Sequence, residues 1–178
     1  MNNQATSTKQ SGVLTGMFRD RESTEKAYQS LRDRGYSEDE INVIMSDETR
    51  DKYYKDGPDT ELGSKALEGT GAGAAIGGTL GAIIGGIAAI GTNVLMPGLG
   101  LVVAGPIVAA LAGAGAGGAT GGLVGALIGW GIPEDRAAMY ESGIKEGGTV
   151  VGVQPRSTED ADYFESEWKN YRGEHIYR

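Results

Sequence analysis

The alternation of apolar and polar positions divides the chain into two amphipathic flanks and a middle that follows different rules. Val13 to Phe18 (VLTGMF) predicts a short strand, with Val13, Thr15 and Met17 facing opposite to Leu14, Gly16 and Phe18. Asp20 is placed to cap a helix running to about Arg34, in which Ala27, Tyr28 and Leu31 make one apolar stripe among charged faces. Gly35 fits the position just past its end. Ile41 to Met45 predicts a second strand, parallel to the first, with Ile41, Val43 and Met45 on one face. The pattern resumes at Pro133-Glu134-Asp135, which open a helix with Ala137, Tyr140 and Ile144 buried and Gly147-Gly148 at its end. Thr149 to Val153 predicts a third strand. Ser157, with Asp160 three residues on, starts a last helix whose apolar face is Ala161, Phe164, Trp168 and Tyr171. Gly173 closes it, and His175 to Tyr177 predicts a short fourth strand.

Between the flanks the periodicity is carried by glycine. Residues 48–68 form a mixed-charge linker, in which Tyr53-Tyr54 reads as surface aromatics or as a contact or modification site. Gly69 to Pro133 then runs for 65 residues without a charge and holds 21 of the 31 glycines. Gly69, Gly73, Gly77, Gly81 and Gly85 fall every fourth residue, and so do Gly113, Gly117, Gly121, Gly125 and Gly129. On a helix such a row is a groove that admits another backbone. The spacing predicts helix one over Gly69 to Gly91 and helix two over Pro106 to Trp130, each roughly 35 to 39 Å long. The connection from Thr92 to Gly105 is expected to be a helix-hairpin turn. Trp130 suits a membrane interface or a cover over the junction between hairpin and flanks.

The flanks spell β-α-β twice. With the insert removed they predict an α+β, ferredoxin-like βαββαβ sandwich whose connection between strands two and three is replaced by the glycine-zipper hairpin. The expected units are a disordered tail (1–12), a discontinuous sandwich (13–47 and 133–178), a charged linker (48–68) and an apolar helical hairpin (69–132). Both flanks must lie on one side of anything the hairpin crosses, a condition that two helices meet.

The strand-helix-strand VLTGMFRDRESTEKAYQSLRDRGYSEDEINVI, the block GAGAAIGGTLGAIIGG and the run MPGLGLVVAGPIVAALAGAGAGGATGGLVGALIGWGIPE together resemble the general stress protein family of the YflT type. Within it they are most similar to the glycine-zipper branch, the low temperature-induced proteins. The resemblance covers about Val13 to Tyr177, and the linker 47–68 departs from it. It implies a non-enzymatic, stress-induced, membrane-associated protein and hands over no catalytic residue.

Composition narrows the chemistry. A formal charge of −8 gives nucleic-acid binding little electrostatic support. The absence of cysteine excludes disulfides and thiolate chemistry. His175, the lone histidine, reads as a solvated side chain rather than a ligand or base. Gly113, Gly115 and Gly118 satisfy G-x-G-x-x-G, but inside the period-four row the match is compositional. No cofactor, metal or small-molecule substrate is expected, and Met1 to Gln10 lacks the apolar run of a signal peptide.

Two settings for the hairpin stay open. A glycine costs about 1 kcal/mol relative to alanine in a helix in water, whereas an unpaired backbone group in hydrocarbon costs several. The uncharged length fits lipid. The modest hydrophobicity, and the absence of a Lys/Arg excess around Lys65 and Arg136, do not. The reading is a hairpin that inserts in or binds a membrane and self-associates, with the flanking domain cytoplasmic. The alternative is a soluble homo-oligomer with hairpins buried against each other and an open sheet face for a ligand or partner.

Overall fold

Strand-forming and helix-forming stretches alternate along both flanks, and the computed structural model resolves how they close on each other. It describes residues 12–54, 94–96, 100–109 and 122–178. The expected tail before Gly12, helix one, and eight of the ten row glycines lie outside the described residues. In chain order the elements are β1 (Leu14–Phe18), α1 (Arg21–Asp33), a 3-10 turn (Glu38–Glu40), β2 (Ile41–Ser46), α2 (Asp47–Tyr54), β3 (Val94–Met96) and β4 (Leu101–Ala104). They continue with α3 (Leu123–Gly129), α4 (Glu134–Lys145), β5 (Thr149–Val153), α5 (Thr158–Asn170) and β6 (Glu174–Tyr177). The class is α+β. One sheet has the order β3-β4-β2-β5-β1-β6, and every neighbouring pair is antiparallel.

β5 holds the middle. Val153 pairs with Leu14 on one side and with Ile41 on the other, so β1 and β2 run the same way without touching. The alternation read from the flanks sorts their side chains as expected. Leu14, Phe18, Ile41, Val43, Met45, Val151 and Val153 face a core shared with α1 and α5. Met17, Ile44 and Val150 face the other way, under Ala137, Tyr140 and Ile144 of α4. The helix ends follow the expected glycines. At Gly35 (φ +80) the amide of Tyr36 reaches Leu31 C=O, the bond pair of a left-handed cap. At the end of α5 the left-handed residue is Arg172 (φ +62), with Gly173 following rather than supplying the turn.

Two expectations are corrected, and two more fall partly outside the described residues. The connection Thr92 to Gly105 is no helix turn: it contributes β3 and β4, and β4 pairs with β2 from Val43–Ala104 to Ser46–Leu101. The β-rich Leu-Val-Val-Ala, bounded by Gly100 and Gly105 at positive φ, takes up the otherwise open edge of β2. Of the expected helix two, residues 107–109 and α3 are helical, and 110–121 lie outside the described residues. Ile107 and Trp130 both sit at the neighbouring pair Asn42–Gly152. Of the expected linker 48–68, residues 55–68 lie outside the described residues, and its first part lies in α2 over Asp47–Tyr54, whose start is capped where the Ser46 hydroxyl accepts from the Thr49 amide at 3.1 Å and whose Tyr54 is buried. Finally, the sheet has no open face over its centre, because α1, α2 and α5 cover one side and α3 and α4 the other.

Candidate functional site

The residues that tie the uncharged block to the sheet lie on the α3–α4 face. Asn42 is the one polar side chain within the apolar run of β2, and it is buried. Its Oδ1 accepts the Ile107 amide at 2.6 Å, and its Nδ2 donates to Gly152 C=O at 3.4 Å. Asn42 therefore caps, from a distant strand, the turn that starts at Gly105-Pro106, where the Val108 amide donates to Gly105 C=O at 3.1 Å. Gly105 admits no other residue: φ is +93°, and a Cβ would lie 2.1 Å from Ile41 C=O.

α3 returns the chain to the same place. Leu123 and Leu127 point into the core, and the helix ends in a left-handed cap at Gly131 (φ +97). There Ile132 N–H donates to Leu127 C=O at 3.0 Å and Gly131 N–H to Ile128 C=O at 2.9 Å. The cap swings Trp130 onto β5. A Cβ on Gly152 would stand 2.4 Å from Trp130 Cη2, so the indole lies where Gly152 has no side chain. Of the two roles expected for Trp130, this geometry is the cover over the junction. Beside it the Tyr140 hydroxyl donates to His175 C=O at 2.6 Å and meets the Thr15 hydroxyl at 2.9 Å, and burial pushes the phenol up to about 12. Three locks, Asn42–Ile107, Gly152–Trp130 and Thr15–Tyr140–His175, thus hold the root of the block and its following helix on one face.

Gly125 and Gly129 are the two row glycines among the described residues, both on α3. Gly129 is exposed with nothing described within 4 Å of its would-be Cβ, and Ile128 beside it is 43% exposed. No helix among the described residues is long and apolar enough to cross a membrane.

The polar cluster on the opposite face has a different character. Tyr36, buried, donates to Asp160 at 2.7 Å and accepts the Arg156 amide at 2.8 Å, and burial raises its phenol to about 12. Arg34 binds the other Asp160 oxygen at 2.7 Å and stacks on Tyr163, while Arg156 stacks on Tyr36 and grips both Glu40 oxygens. The Ser37 amide first, and Arg156 second, pull the Glu40 carboxyl down to about 2. Each of these contacts ends on another member of the cluster, so it fastens α1 to α5. Among the described residues no three His, Asp or Glu side chains gather as a metal site. The His175 ring forms no hydrogen bond or ion pair there, although its carbonyl is used.

Asn42, Gly105 and Gly152 were not singled out from the sequence. The available signals were an asparagine inside Ile-Asn-Val-Ile-Met and a glycine inside Thr-Val-Val-Gly-Val, each out of character for a buried strand. Comparison of the chain with known protein families, with characterised proteins and with solved structures finds no match.

Proposed function

We propose that this is a non-enzymatic stress-response protein of the YflT type, in which a ferredoxin-like frame presents a glycine-rich block that binds membrane lipid and self-associates. The frame in this reading is β1-α1-β2 and β5-α5-β6, and the strand order β2-β5-β1-β6, extended at one edge by β3 and β4, supports it. The observation that carries the reading is the 65-residue charge-free stretch, tied to one face of the sheet at its root and bearing an exposed Ile128 where it re-enters. The row glycines are the surfaces through which copies would pack.

The test is flotation of the purified chain with neutral phosphatidylcholine vesicles. The protein is expected to rise with the lipid, and recovery of all of it at the bottom of the gradient would overturn the membrane reading. The second reading, a homo-oligomer in water, is favoured by the return of residues 94–96 and 100–107 to the sheet. It predicts a defined assembly by sedimentation in the absence of lipid.

A further inference from the structure

We infer that α2 is a clasp over one half of the sheet, which opens from its Tyr54 end and uncovers β2 and β4 while the rest of the α1–α5 face stays closed. The clasp acts on β4 whether the uncharged block meets lipid or other copies. α1 and α5 lie against β5, β1 and β6, whereas α2 lies against β2 and β4. On that side of the sheet the cross-strand pairs Val43–Ala104 and Met45–Val102 share the core with Tyr54.

The two covers are fastened differently. α1 and the turn after it are tied to α5 by side chains: Arg34 and Tyr36 each reach Asp160 at 2.7 Å, and the Trp168 indole donates to the Ser30 hydroxyl at 3.3 Å. α2 is stitched to β4 at its start. The Asp47 amide donates to Gly100 C=O at 3.0 Å, and Ser46 pairs with Leu101. Of its two buried residues, Thr49 sits in the first turn and Tyr54 is the last residue. Arg50 pairs with Asp51 at 2.6 Å, and Lys52 lies 4.8 Å from the Tyr53 ring centre, so these contacts stay within the helix.

Tyr54 is a weak fastener for the far end. The residue is 3% exposed, with the Arg21 guanidinium over its ring at 5.6 Å. Its hydroxyl, however, is buried without a hydrogen-bond partner among the described residues. The hydroxyl of Thr24, beside it, already donates to Asp20 C=O at 2.9 Å. A buried donor left unpaired carries its full desolvation penalty, which water relieves once the phenol is exposed. Opening at this end is therefore favoured below the threshold of global unfolding.

Amide exchange of the full chain, read by peptide mass, tests the clasp. Exchange in α2 and β4 is expected to outpace exchange in α5. Tyr54→Phe keeps the ring and removes the unpaired donor, so it should slow α2 and β4 together by about fivefold while α5 is unchanged. Tyr54→Ala should quicken the same two elements. α2 exchanging as slowly as α5 overturns the inference, and so does a Tyr54→Phe chain in which α2 is unchanged or faster. Quickening throughout the Tyr54→Ala chain would place Tyr54 in the general core and overturn it as well. A response in α2 without one in β4 overturns the clasp, leaving α2 as a fraying end.

Discussion

The two faces of the sheet are built by different means. The α1–α5 face is aromatic. Trp168 lies fully buried over Gly16, 3.0 Å from where its Cβ would be, and meets Phe18 edge-on at 5.7 Å. Phe164 and Tyr36 extend the stack, and an ion-pair rim closes it. The α3–α4 face is aliphatic, and its indole, Trp130, is only partly buried over Gly152. Gly16 and Gly152 lie one position apart in the β1–β5 register on opposite sides of the sheet, each making room for a tryptophan. The first face gains its stability from large rings on long amphipathic helices. The second covers the sheet with the described part of a glycine-rich block and uses single polar ties to hold it.

The sharpest way to break this comparison is to remove each indole. Trp168→Ala should cost about 3–5 kcal/mol of stability. Trp130→Ala, from a partly buried seat, should cost about 1–2 kcal/mol. Urea unfolding followed by circular dichroism measures both, and equal losses would mean that the faces are energetically alike. A second substitution isolates the tie on the α3–α4 face. Asn42→Ala leaves the Ile107 amide without its acceptor, a loss of about 1–3 kcal/mol. Amide exchange at Ile107 should accelerate while exchange in α5 stays slow; uniform acceleration would show the tie to be part of the general core.

The smallest effect lies at the rim of the first face. Glu40 has its folded pKa lowered to about 2 from an ordinary 4.5, with the Ser37 amide as the main cause. Its contribution is therefore fully present above the ordinary carboxylate range and fades as pH falls from about 4.5 toward 2. Glu40→Gln should lower stability slightly at neutral pH and flatten the acid limb of the stability–pH curve. An unchanged acid limb would remove Glu40 from the account. Its side chain is 40% exposed, so the change is modest.

Most of the first face was legible in the chain because its signals agree with each other. Ala161, Phe164 and Trp168 repeat at helical spacing, Asp20 and Ser157 cap, and Leu14 and Phe18 alternate with Thr15 and Met17. The second face was legible at α4 and at α3, which lies inside the expected helix two. Inside a stretch with no charges, Leu-Val-Val-Ala has no polar positions to reveal a period of two, so a strand and a buried helix look the same. Pro97 and the glycines around it then made β3 and β4 read as a turn between helices. Asn42 and Gly152 acquire meaning only once Ile107 and Trp130 are placed beside them, and those partners lie 65 residues from Asn42 and 22 from Gly152 in the chain.

The central position of β5 has a consequence for how the molecule is made. Val153 is the neighbour of both Leu14 and Ile41, so neither early strand has its main partner until the ribosome has passed it. Between Ser46 and Thr149 lie about 100 residues, which take about 5–20 s to synthesise. During that interval β1, α1 and β2 wait, while the whole charge-free block emerges into water ahead of the strand that completes the frame. The acidic and basic residues of α2, Asp47, Glu48, Arg50, Asp51 and Lys52, precede the block in the chain. The order of translation thus brings the charge-free block into water before the sheet that anchors its described parts exists.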